Sequence, residues 1–73
     1  MITFNLFRPA VDTSVWCAVP EDQAVPAFLD TGAWLYSCKV EEKDPLPTGF
    51  DIKAALTGVH YNGFYIFENF GTA

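Results

Sequence analysis

The chain has 73 residues and a net charge of −5, which together confine it to one small acidic domain. Two cysteines are too few for a disulfide-built secreted scaffold, and the four basic residues are too few to replace the counterions of a nucleic acid or to hold an acidic membrane. Hydrophobic residues make up 51% and charged residues only 18%, so the chain owns more oily surface than a core of this size can hide.

Residues 2–7 alternate Ile2/Phe4/Leu6 against Thr3/Asn5/Phe7, the period of a half-buried strand, and Arg8-Pro9 ends the run. This opening has no basic stretch and no continuous apolar run, which predicts a chain without a leader that stays in the cytoplasm. No apolar run elsewhere is long enough to span a bilayer. Residues 14–19 form a second predicted strand, with Val15, Cys17 and Val19 on one face and Trp16 and Ala18 on the other. The short connection predicts an antiparallel pair.

Pro20-Glu21-Asp22 then opens a predicted short helix that runs to Thr31 and stops at Gly32, with Val25, Phe28 and Leu29 as its apolar stripe. Pro26 fits only within the first turn, which sets the start at Asp22 or Gln23. Residues 33–42 are the longest strand candidate. Trp34, Tyr36, Cys38 and Val40 share one face there, and Leu35, Ser37, Lys39 and Glu41 the other. Two prolines and a glycine between Lys43 and Gly49 mark a loop.

Asp51 reads as the N-cap of a second helix, about two turns long and ending at Gly58, with Ile52, Ala55 and Leu56 buried and Phe50 stapled to Ala55. Residues 59–67 are divided by Asn62-Gly63. That pair favours a type I′ hairpin over a single strand bulged at Gly63. Residues 68–73 are expected to form a loosely held tail. The order β-β-α-β-α-β-β predicts an α+β domain: a small mixed sheet of four to five strands with two short helices. A right-handed crossover is expected between the second and third strands.

Chemistry-bearing residues are sparse. Cys17 and Cys38 match neither the C-x-x-C redox spacing nor a zinc knuckle, and they read as small buried hydrophobes. His60 is the only histidine, expected on a partly exposed strand beside the turn. The carboxylates read as caps and solvated strand ends rather than as a catalytic pair.

The aromatic residues carry more information. Phe7 and Trp16 fall opposite the assigned core faces, and Tyr65 and Phe67 turn away from Phe64 and Ile66. If these lie on one side of the sheet, Phe7, Trp16, Leu35, Tyr65 and Phe67 form a platform. Base stacking on such a platform is disfavoured by the shortage of cations. The competing arrangement has a helix on each face and no platform.

The expectation is therefore a non-enzymatic interaction domain without a cofactor, homodimeric or bound to a protein partner through an aromatic sheet face or strand edge. An alternative of a different class is a small-ligand or metal-binding protein that uses Cys17, Cys38, His60 and a neighbouring carboxylate. An acidic nucleic-acid mimic would require clustered surface carboxylates, and is weaker still.

Overall fold

β1 (Thr3–Pro9) and β2 (Val15–Pro20) form the central pair of a four-stranded sheet, flanked by β3 (Trp34–Glu41) and β4 (Tyr65–Glu68) in the order β3-β1-β2-β4. The computed structural model describes residues 2–11 and 15–68. Of the expected tail 68–73, Glu68 is instead the last residue of β4, paired with Val15, and 69–73 lie outside these residues, as does the expected strand start at Ser14.

The predicted β1–β2 antiparallel pair is present, with Phe4 opposite Pro20 and Phe7 opposite Cys17. The remaining pairings, β1 with β3 and β2 with β4, are antiparallel as well, so the expected mixed sheet is corrected to an antiparallel one. The reason lies in β1. Phe4 and Leu6 are fully buried, and a strand so buried needs a neighbour on each side. β3 takes the free side of β1 rather than pairing with β2, and residues 21–33 must cross the sheet to bring it there.

The first predicted helix shrinks to one 3-10 turn, Ala27–Asp30. Pro26 has an extended backbone (φ −57°, ψ 144°) and also disfavours the α conformation at Val25 before it. The bond from Leu29 N–H to the Pro26 carbonyl, at 3.0 Å, starts the turn.

Within β3 the register slips. Cys38 lies opposite Leu6, yet Tyr36 lies opposite Phe7, which leaves Ser37 as an extra residue. A one-residue slip turns every following side chain to the other face. Trp34 and Tyr36 consequently share a side with Phe7, while Cys38 and Val40 share one with Phe4 and Leu6. The expected single face through Trp34, Tyr36, Cys38 and Val40 is broken at this bulge.

The second helix, α1, spans Ile52–Asn62 and runs straight through Gly58. Asp51 caps it as the sequence predicts: its Oδ1 accepts from Lys53 N–H at 3.0 Å and Ala54 N–H at 3.4 Å. Gly58 is no stop, because it marks a close approach. A Cβ there would lie 3.2 Å from the Phe64 carbonyl oxygen as the chain turns into β4. The stop is Gly63, whose left-handed φ of 84° lets its N–H reach the Val59 carbonyl at 2.9 Å. Asn62-Gly63 is thus a helix end, and the expected hairpin and fifth strand are replaced by β4 alone. His60 accordingly sits on α1, exposed, with its ring edge-to-face against Tyr61.

The helix stripe is Ile52, Ala55 and Val59. Leu56, expected inside, is exposed. This stripe covers the side of the sheet carrying Phe4, Leu6, Ala18 and Phe67. Phe50, from the loop before α1, plugs the space between helix and sheet, with its ring 5.3 Å from Phe4, 5.2 Å from Tyr65 and 5.0 Å from Phe67. The opposite side holds a smaller cluster, Cys17, Val19 and Leu29, bordered by Phe7, Trp34 and Phe64.

Candidate interaction face

The sheet has two sides and α1 covers one of them. Among the described residues, the other is crossed only by residues 21–33, a segment in which Leu29 alone is buried. Alternation along the strands and the bulge in β3 bring Phe7, Trp34, Tyr36 and Ile66 to this side. Their rings form two contacting groups. Phe7 lies edge-to-face on Tyr36 at 5.8 Å, and Phe28 lies edge-to-face on both Trp34, at 6.1 Å, and Phe64, at 5.0 Å. Tyr36 remains 55% exposed and Ile66 41%, and Phe28 and Val15 are also exposed.

Of the five platform residues read from the sequence, only Phe7 lies on this face. Trp16, Tyr65 and Phe67 turn to the helix side, where Phe67 is buried and stacks on Tyr65 with centroids 5.6 Å apart. Trp16 tilts against Phe67 at 6.5 Å, and the Tyr65 hydroxyl accepts from Asp51 N–H at 3.3 Å, tying β4 to the helix start. Leu35 is exposed opposite Arg8, near the start of β3. The single platform of Phe7, Trp16, Leu35, Tyr65 and Phe67 is therefore corrected. Tyr65 and Phe67 do turn away from Ile66, but the side they share with Trp16 is the one α1 covers. The signal for Tyr36 and Trp34 was hidden by the bulge, and no local rule places a bulge at Ser37.

The register also brings Thr3, Asn5, Lys39, Glu41 and Glu68 to this side. Lys39 donates to Glu21 Oε1 at 2.8 Å across an exposed ion pair. That hydrogen bond, and then the Glu21 charge, hold the Lys39 ammonium above its ordinary value. Asn5, between Val19 and Lys39 in the register, keeps a buried Oδ1 with no hydrogen-bond partner.

The groups proposed for metal or redox chemistry are dispersed. Cys17 is fully buried on the open side of the sheet, Cys38 is exposed on β3 where it pairs with Leu6, and His60 is on α1. Burial pushes the Cys17 thiol up to about 12, against a weaker lowering by a backbone hydrogen bond from Tyr65. Such a thiol is not a nucleophile at neutral pH. Among the described residues no three His, Cys, Asp or Glu side chains gather where they could hold a metal ion. A groove of about 530 Å³ at the sheet end is lined by Ile2, Thr3, Glu21, Asp22, Glu42 and Leu56. Two of its three carboxylates are engaged, Glu21 with Lys39 and Glu42 with the Ile2 N–H at 3.0 Å. Among the described residues no helix is long and apolar enough to cross a membrane.

Comparison with protein-family models, with curated proteins and with solved structures returned no match.

Proposed function

We propose that the chain is a non-enzymatic interaction domain that pairs with a second copy of itself through the sheet face opposite α1. The observation that carries this reading is the set of apolar side chains left open on one side: Tyr36 and Ile66 on the flanking strands, with Phe28 between Trp34 and Phe64. Apolar patches of this kind on a small domain mark partner surfaces. A two-fold contact lets one patch serve both copies, and the rings supply the amphipathic anchors that dominate such interfaces. The outer edge of β3, next to Tyr36, borders the same face. Cys17, Cys38 and His60, which the metal-binding alternative brings together, lie on β2, β3 and α1, with the two cysteines on opposite sides of the sheet.

Amide spectra recorded on dilution test the reading directly. Shifts that move with concentration at Tyr36, Ile66 and Phe28, and not at Leu56 or Tyr61 on the outside of α1, are the expected result. Spectra that are constant on dilution, or that change only on α1, would refute it.

A further inference from the structure

We propose that residues 21–33 form a strap that lifts from the sheet as one unit while β1–β4 and α1 stay folded, uncovering Cys17 and Val19. The strap is held thinly. Its one regular element is the 3-10 turn, and apart from buried Leu29 and half-buried Pro26 its residues are exposed. Backbone bonds tie it to the sheet near its two ends: Glu21 N–H to the Thr3 carbonyl at 2.8 Å and Gln23 N–H to the Pro20 carbonyl at 3.1 Å at one, and Ala10 N–H to the Ala33 carbonyl at 2.7 Å at the other. Between those ends the grip comes from two adjacent side chains, Phe28 against Trp34 and Phe64, and Leu29 over Cys17 and Val19. The Lys39–Glu21 pair adds little, since both partners are exposed and salt screens them.

Adjacent anchors on one turn must release together, which makes the opening cooperative. Gly32, at φ 86° with open space around it, supplies a hinge near one end. The rest of the fold does not depend on the strap. The helix-side cluster of Phe4, Leu6, Ala18, Phe50, Ala55, Val59 and Phe67 contains none of its residues, and the sheet separates that cluster from Leu29. Segments with few buried apolar contacts open at lower free energy than the global transition. Opening would also enlarge the face offered to a second copy, a consequence that rests on the proposed dimer; the opening itself does not.

Cys17 is a built-in reporter, sealed under Leu29, and Cys38 can be removed from its exposed site without touching the core. In the Cys38→Ser protein, labelling of Cys17 by an aromatic disulfide reagent is followed across urea concentrations below the unfolding transition. A rate that is nearly independent of urea at low concentration, and joins the steep global line only later, is expected, because local opening exposes little surface. A rate that climbs with the global slope from zero urea would overturn the proposal. Leu29→Ala should raise the low-urea rate by about tenfold or more, and an unchanged rate there would count equally against the strap. The labelling is run at a concentration where the mass is that of one chain, so that its outcome and the outcome for the dimer are read separately.

Discussion

At the scale of single residues, Phe50 joins the loop before α1 to the helix-side core. Its ring touches three others, and truncation would leave a cavity between α1 and the sheet. Phe50→Ala is expected to cost about 3–5 kcal/mol in urea unfolding; a cost below about 1 kcal/mol would mean the site collapses or Phe50 packs elsewhere. Cys17 gives a prediction in pH. Its folded value, about 12, is raised above the ordinary 9.0 of a free thiol. Above pH 9 the unfolded chain therefore gives up a proton that the folded chain keeps. The stability tied to this thiol is full below pH 9 and is lost as pH rises from 9 toward 12, by up to about 1.4 kcal/mol per pH unit. Urea unfolding from pH 8 to pH 11 should show a shallower decline for Cys17→Ala than for the natural chain, whatever their difference at neutral pH. Equal slopes would contradict the buried thiol. Sequence periodicity already separated Cys17 from Trp16 and Ala18. It could not separate Cys17 from Cys38, because their placement on opposite sides depends on the Ser37 bulge.

At the scale of elements, two glycines distinguish the fold seen from the one read off the chain. Asn62-Gly63 has the residue type for either a type I′ turn or a left-handed helix end, and which is used depends on whether the helix has already stopped. Gly58 suggests a stop, but its missing side chain serves close packing against the carbonyl of Phe64. Gly63→Ala should therefore destabilise the protein by about 1 kcal/mol through the left-handed strain. Gly58→Ala should also destabilise, although alanine is the better helix former by about 1 kcal/mol. Thermal unfolding checks both; a Gly58→Ala protein more stable than the natural one would show that the 3.2 Å approach relaxes freely. Asp51 was legible because an N-cap needs only local geometry. The two central strands were legible because alternation is local too. The helix expected after Pro20 was not, since Pro26 removes a donor and holds its own neighbourhood extended, and the apolar spacing of Val25, Phe28 and Leu29 fits a single turn as well as a helix.

At the scale of the molecule, the imbalance between oily and charged residues leaves Leu56 and Tyr61 exposed on α1 and Leu35 on β3, and leaves Phe28, Tyr36 and Ile66 exposed on the strap side. The helix side is closed by Phe50 and the α1 stripe, whereas the other side has a thin strap and open rings. The composition foretold that surplus; where it lies was set by sheet order and the β3 bulge, which are properties of the whole chain. Replacing two open apolar strand residues of that face together, Tyr36→Lys with Ile66→Lys, should abolish self-association. Tyr61→Lys, at a site 77% exposed on α1, should leave it intact. Sedimentation equilibrium from about 10 to 500 µM, the range where modest self-affinity shows, tests the central claim most directly. The account predicts a mass that rises with concentration toward twice the 8.1 kDa of one chain for the natural protein and the Tyr61 variant, and stays at one chain for the double variant. A natural protein that remains at 8.1 kDa throughout would contradict it.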